Sequence, residues 1–146
     1  MSLRIKRASI SDSLFFFNLR NDFHTRKSSF QKNEIKLSNH IKWFQKNIRK
    51  RDKIFLVSYI QKNHLVGTIR YDLDCLRALV SIAIDTKFRA KGYGAKMLRM
   101  SEKFLKKGTL IISKVKKTNL VSIKLFEKNK YFIISVQKNI TFAKLI

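Results

Sequence analysis

Apolar and basic residues alternate from the start of the chain. Leu3, Ile5 and Arg7 fall on one face while Arg4 and Lys6 fall on the other, which predicts a short strand. Ser9 followed by Asp12 resembles a capping box, and Leu14, Phe15 and Leu19 then mark an apolar helix. Residues 21–36 are polar and poorly periodic. Beyond them Leu37, Ile41, Phe44 and Ile48 recur at helical spacing, with Ser38 offered as the N-cap. Three strand-like runs follow at 53–60, 64–74 and 79–85, the first two joined by a turn at Gln61-Lys62-Asn63. The third sets Val80, Ile82 and Ile84 on one face, and the three are close enough to form an antiparallel meander.

The period then changes. Residues 92–107 read as a helix with Met97, Leu98, Phe104 and Leu105 inward, ended by Gly108. Residues 109–115 form a nearly continuous apolar strand, as expected when both faces are covered. Residues 118–128 read as a helix buried by Val121, Ile123 and Leu125 or Phe126, and 131–136 and 140–146 as a closing pair of strands. The order is β-α-α-β-β-β-α-β-α-β-β, an α/β or α+β domain with a mixed sheet. No repeat, Gly/Ser linker or low-complexity stretch interrupts it, so residues 1–146 are expected to form a single domain.

Composition narrows the class. Hydrophobic residues make up 45% and aromatics 12%, enough to build a core despite a net charge of +24. No apolar run reaches the roughly 18–20 residues that cross a bilayer, and the first residues lack the apolar stretch of a signal peptide. A lone cysteine, Cys75, gives neither an internal disulfide nor a metal cluster. The expectation is a soluble, cytoplasmic protein with no metal and no membrane partner, as monomer or homodimer. The charge has two compatible readings. One is compositional drift towards Lys, Asn and Ile; the other is a field that draws in phosphate-bearing ligands. The basic residues are scattered and form no tract with interleaved aromatics, which argues against a nucleic-acid partner.

Candidate chemistry centres on Ile84-Asp-Thr-Lys-Phe-Arg-Ala-Lys-Gly-Tyr-Gly-Ala-Lys96, where a strand runs into a basic loop with two glycines and a helix starts at once. Backbone N–H groups in such a turn, with the free donors of a helix N-terminus, make a concave anion site. Gly92 and Gly94 permit positive φ and close approach of a phosphate, and Arg89 and Lys91 add charge at the rim. The same residues also fit an ordinary strand-to-helix turn. Met97 stands where a dinucleotide fingerprint needs its third glycine, and no Gly-Lys-Ser/Thr follows as in a P-loop.

Arg89-x-x-Gly92-x-Gly94 after the fourth strand resembles the acyl-CoA loop of the GNAT superfamily of N-acetyltransferases. Asn119-Leu-Val-Ser-Ile-Lys-Leu-Phe-Glu-Lys-Asn-Lys-Tyr-Phe132 is similar to that superfamily's second motif, and the element order agrees throughout. The resemblance implies a GNAT fold, with a central mixed, mostly antiparallel sheet flanked by helices, and acetyl-CoA as co-substrate. It implies pantetheine lying against the backbone of Ile82, Ala83 and Ile84, where strands splay. The pyrophosphate would be held by the amides of Arg89, Ala90, Lys91, Gly92, Tyr93, Gly94 and Ala95. Asn119 would bond the pantetheine arm, although a helix N-cap explains it equally. Phe126 would line the acetyl pocket, although its spacing is that of a core residue. It stands where many members carry the Tyr that protonates the departing thiolate, so that role is vacant, and Tyr131 is a poor substitute.

The substrate side falls on residues 19–43. Leu19-Arg-Asn21, the following Arg26, and Ile35-x-Leu-x-x-His40 look like the subgroup that N-acetylates nucleotide-linked 4-amino-dideoxy sugars for pseudaminic acid-type surface glycans. On that resemblance the partner is a small-molecule nucleotide sugar. Phe30 and Trp43, with Phe44, would stack on base or sugar, and Arg20 and Arg26 would meet a diphosphate. His40 would project into the cleft from the edge of the second helix's buried stripe, as substrate ligand or catalytic base. Glu34 and Asp72 are further bases. For all of these a solvated or core role competes. The other functions kept open are ribosomal-protein or other peptide N-terminal acetylation, and a basic binding module without catalysis.

Overall fold

The computed structural model describes residues 2–61 and 64–146; Lys62 and Asn63, two of the three residues in the turn expected at 61–63, lie outside them. The elements are β1 (Leu3–Arg7), α1 (Ser13–Asn21), α2 (Phe23–Ser28), α3 (Leu37–Asn47), β2 (Lys53–Ile60), β3 (His64–Asp74), β4 (Arg77–Ile84), α4 (Tyr93–Ser101), β5 (Leu110–Lys116), α5 (Leu120–Lys128), β6 (Phe132–Val136) and β7 (Asn139–Leu145). The strands form one sheet in the order β1-β2-β3-β4-β5-β7-β6. Every pairing is antiparallel except the parallel one between β4 and β5.

Alternation divides the sheet into two faces. Ile54, Leu56, Ile69, Tyr71 and Val80 join Met97 and Leu98 of α4 and Phe126 of α5 in the main core. On the opposite face Phe55 of β2 packs against Phe16 of α1 and Phe44 and Trp43 of α3, with ring centroids 5.3–5.7 Å apart. Thus α1 and α3 cover one face and α4 the other.

Local signals explain the element starts. Asp12 Oδ2 accepts the Ser9 amide at 2.8 Å, the capping contact the sequence indicated, and a single 3₁₀ turn at Ile10–Asp12 precedes α1. The stretch read as polar and aperiodic contains α2. Its N-cap is Asp22, whose carboxylate accepts the Thr25 amide at 3.1 Å, and its six residues are too few for a period to show.

Three expectations are corrected by packing. Lys36, not Ser38, is the N-cap residue of α3, whose buried side is His40, Phe44 and Asn47; Leu37 and Ile41 are exposed. The helix expected over 92–107 ends at Ser101 and passes through a 3₁₀ turn, Glu102–Phe104, before Gly108 at φ +90°. In α5 the buried residue is Phe126, and Val121 lies 81% exposed.

Candidate active site

The sheet splits in its middle. Parallel pairing between β4 and β5 covers Arg77↔Leu110, Ala78↔Ile111 and Leu79↔Ile112 and stops there. Beyond that point β4 stays on β3 through Gly67↔Ile84, and β5 stays on β7 through Lys116↔Asn139. The two strands therefore diverge, and Ile82 and Ala83 line the opening with β3 on their other side. Gly67 lets β4 sit so close to β3 and α4: a Cβ there would lie 2.5 Å from the Ala83 carbonyl oxygen and 2.9 Å from Met97 Cε. Nothing in the sequence pattern marked Gly67, because only the fold brings α4 over it.

At the open end, Asp85 caps a 3₁₀ turn (Thr86–Phe88) by accepting the Lys87 amide at 3.0 Å, and the chain reaches Gly92, the N-cap of α4. Ala90 has φ +58° and Gly92 φ +79°. The left-handed conformation costs a residue with a Cβ about 1–2 kcal/mol, so the turn holds Ala90 against its preference. The first-turn amides of Tyr93, Gly94 and Ala95 have no carbonyl of their own helix to donate to. With the helix dipole they make a site for an anion. Lys91 is exposed above this turn, its Nζ 5.8 Å from the Phe88 ring centroid.

Two residues of the loop do something other than the sequence suggested. Gly94 lies within α4 and is buried; a Cβ on it would meet Ile84 Cδ1 at 3.0 Å and Leu125 Cδ1 at 3.2 Å. Its lack of a side chain serves helix packing, so the expected positive φ is found at Gly92 alone of the two. The Arg89 side chain is engaged within the protein. Its Nε donates to the Ile84 carbonyl at 3.0 Å, and its Nη2 donates to Asp22 Oδ2 at 2.8 Å and Thr25 Oγ1 at 3.3 Å. It ties the loop to the start of α2 and takes the Ile84 carbonyl away from any ligand. Burial works to raise the Asp22 carboxyl, but hydrogen bonds from Arg89, the Thr25 amide and Thr86, with the Arg89 charge, bring it down to about 2.

Asn119 caps α5, its Oδ1 accepting the Ser122 amide at 3.2 Å. Phe126 is 2% exposed, stacked on Phe142 at 5.6 Å and edge-on to Tyr131 at 5.0 Å. It is core, and the expected acetyl-pocket contact is corrected: its ring is enclosed by aromatic neighbours. The Tyr131 hydroxyl is buried without a partner, and burial, with Tyr71 and Glu102 nearby, raises its pKa well above the ordinary 10. It holds its proton and faces the Tyr71 side of the core.

On the α1–α3 side the largest correction is His40. It is 4% exposed, and its Nε2 hydrogen-bonds the Ser13 carbonyl at 2.9 Å among Phe17, Trp43 and Phe44. Burial lowers its pKa below the ordinary 6.5, against a smaller upward effect of the Ser13 bond. It pins α3 to α1 instead of projecting into the cleft. Arg26 is also spent, its Nε donating to the Asn21 carbonyl at 3.1 Å and its Nη2 lying 3.5 Å from Glu34. Asp72 is held by Lys53 at 2.8 Å and Arg70 at 3.1 Å. Arg20 remains, half-buried, with Nη1 donating to Ser29 Oγ at 3.1 Å. Trp43 and Phe30 are both partly exposed; Arg70 lies over the first at 5.3 Å, and Lys116 over the second at 5.9 Å. Arg70 was absent from the sequence reading.

A split sheet opening at a glycine-capped helix N-terminus defines an acyl-CoA-dependent transferase site in form. Residues 15–131 match the acetyltransferase (GNAT) family, and the chain belongs to that family. It is an acetyl-CoA-dependent N-acetyltransferase. No curated protein matches the chain in sequence. Among solved structures it is similar to the spermidine N-acetyltransferase of Vibrio cholerae, in complex with CoA and spermine (17% identity, TM-score 0.81, covering 97% of this chain and 92% of that one). It is also similar to yncA of Salmonella typhimurium with acetyl-CoA (16% identity, TM-score 0.77, 98% and 92%). A third is the ribosomal-protein-alanine N-acetyltransferase of Brucella melitensis (17% identity, TM-score 0.77, 98% and 99%). These likenesses carry the fold. No helix of the described residues is long and apolar enough to cross a membrane.

Proposed function

We propose that the chain acetylates the amine of an anionic small molecule, a nucleotide-linked 4-amino-dideoxy sugar, with the acceptor entering on the α1–α3 face. The observation that carries this reading is the charge balance of that face. On it Asp22, Glu34 and Asp72 are each engaged by a guanidinium or ammonium group, while Asp12 accepts the Ser9 amide at the start of α1. Arg20 and Arg70 keep donors to spare. A polyamine, the acceptor named for the Vibrio cholerae enzyme, would bring only positive charge to such a face. A phosphate-bearing acceptor meets complementary charge.

Acetyl-CoA supplies the activated thioester carbonyl. The amides of Tyr93, Gly94 and Ala95 bind its pyrophosphate, with Lys91 adding charge. The free edge of Ile82 and Ala83 offers backbone groups to the pantetheine amides, and the Asn119 side-chain amide faces the same arm from the α5 N-cap. Trp43 and Phe30 offer faces for the base or sugar. The neutral amine attacks the thioester carbonyl; as the C–S bond breaks, the amine's proton passes to solvent and the CoA thiolate leaves, taking a proton from water. Thiol release from acetyl-CoA, measured against a UDP-linked 4-amino sugar, a peptide with a free N-terminus, and spermidine, tests the reading. Turnover of the amino sugar above the other two supports it; a preference for spermidine or peptide overturns it.

A further inference from the structure

Arg70 sits on β3 with its side chain on the α1–α3 face, like its cross-strand neighbours Phe55 and Ser81. A guanidinium has five N–H donors. Here Nη2 forms an ion pair with Asp72 Oδ2 at 3.1 Å, while Nε is buried and has no acceptor. Asp72 is shared with Lys53, so a single carboxylate faces two cations. An unpaired buried donor costs about 1–3 kcal/mol, more when it belongs to a charged group.

Arg20 approaches from α1, which packs against β4. Its hydrogen bond is to a neutral hydroxyl, Ser29 Oγ. Burial, and then the charge of Arg70, work against its protonated form. Arg20 lies one helical turn beyond Phe16, which packs on Phe55, and Phe55 pairs across the sheet with Arg70. Asp72, the carboxylate beside Arg70, is already shared with Lys53, so the two guanidiniums form an arrangement that lacks an anion. Below Arg70 lies Trp43 at 5.3 Å, its ring fixed edge-on against Phe55 at 5.7 Å. This contact helps to hold the guanidinium in place.

We infer that Arg70 and Arg20, with Trp43 beneath Arg70, form the seat for a phosphate group of the acceptor, separate from the pyrophosphate loop at α4. The inference rests on the reading of an anionic acceptor and gives it a location. Arg70 is the specificity-determining residue of this seat, donating to phosphate oxygens from Nη1 and the second N–H of Nη2, the end-on side of the guanidinium fork, while its buried Nε stays inside the protein. Arg20 supplies the second charge. An acceptor with a carboxylate in place of the phosphate would meet the same fork, so the probes below separate the two.

The test uses the full chain saturated with CoA, so that the α4 site is filled. Trp43 is the single tryptophan, and its fluorescence should change saturably on adding UDP or inorganic pyrophosphate. Succinate at the same concentration should have a smaller effect. By calorimetry, Arg70→Gln and Arg20→Gln should each weaken UDP binding to the CoA complex by about tenfold or more. Arg70→Lys should fall between, since it keeps charge without the fork. CoA affinity and the urea midpoint should stay close to wild type in Arg20→Gln, which breaks no ion pair. With the amino sugar, Arg70→Gln should raise KM about tenfold while kcat changes little. Wild-type UDP affinity in both Gln variants, or no UDP binding to the CoA complex, overturns the seat. Acetylation of the amino sugar with unchanged KM in both variants also overturns the seat, while leaving the proposed acceptor standing. Loss of UDP binding in the variants of an enzyme that ignores the amino sugar supports the seat and removes that acceptor.

Discussion

Replacing Asp22 with Asn tests whether the loop around Gly92 is held from the α2 side. Asp22 Oδ2 accepts Arg89 Nη2 at 2.8 Å and the Thr25 amide at 3.1 Å, and Oδ1 accepts the Thr86 hydroxyl at 3.3 Å. Lowering a carboxyl from its ordinary 3.8 to about 2 corresponds to about 2.5 kcal/mol at 1.36 kcal/mol per pKa unit. Nearly a quarter of the side chain is in solvent, and screening there reduces the useful part to about 1–1.5 kcal/mol. Because the folded-state value is depressed, this stability is present in full above the unfolded value and is lost as pH falls through about 2.

Asp22→Asn should therefore lower the free energy of urea unfolding at neutral pH by about 1–1.5 kcal/mol. The gap to wild type should hold down to about pH 4.5 and narrow below it. In the same variant Arg89 loses its ionic partner, so the acetyl-CoA KM should rise several-fold while kcat holds. Equal stability of the two proteins at neutral pH would refute the argument. So would a gap of unchanged width at about pH 3, because the carboxylate would then not be its source.

The two glycines of the loop should separate. Gly92→Asp should abolish acetyl-CoA binding in a calorimetric titration and lower the melting temperature by a few degrees, since a Cβ there meets no atom within 4 Å but the φ of +79° costs it about 1–2 kcal/mol. Gly94→Asp should destabilise the fold outright, by forcing a side chain between Ile84 and Leu125. His40→Ala should cost about 2–3 kcal/mol in denaturant unfolding and alter turnover mainly through that loss. With its folded-state pKa below 6.5, wild type should lose stability as pH falls beneath that value, and His40→Ala should show less of this loss. Phe126→Tyr should not raise kcat, and thermal melts should show about 1–3 kcal/mol of destabilisation from a hydroxyl placed in the Phe142 and Tyr131 stack. With a phosphorylated acceptor, kcat/KM should fall as the Debye length shrinks below about 8 Å; a flat profile would leave the net charge without a part in capture.

The strands were the most legible part of the fold, because β2 is a run rich in β-branched and aromatic residues and a turn signal separates it from β3. Their bounds at 53–60 and 64–74 match the structure. The glycine turn at 89–95 was legible for a different reason. Its glycines and basic residues are contiguous, and contiguity is what a motif can express. The helices were read less well. In α3 an apolar period at Leu37 and Ile41 points outward, while the buried side is paid in part by His40 and Asn47, whose polar atoms find backbone acceptors at Ser13 and Trp43. Periodicity counts apolar side chains; it has no means of seeing a polar one that the fold satisfies.

The cluster on the α1–α3 face was illegible for the converse reason. Arg70 looks like the outward polar residue of an alternating strand, and its meaning depends on Arg20 and Trp43, which other elements bring to it. The same holds for the charge of the whole chain. Composition counts 33 basic residues against 9 acidic ones and suggests a uniform field. The fold uses its few carboxylates at joints: Asp22 locks α2 to the loop, Asp72 holds β2 to β3, Glu102 ties α4's end to Lys144 of β7, and Glu34 closes on Arg26. Each carboxylate so used is withdrawn from compensating the cleft. A drift in composition can therefore set how many lysines the chain carries, while the position of the rare acids decides where positive charge stays unbalanced. On the α1–α3 face that imbalance falls on Arg20 and Arg70, beside the opening between β4 and β5.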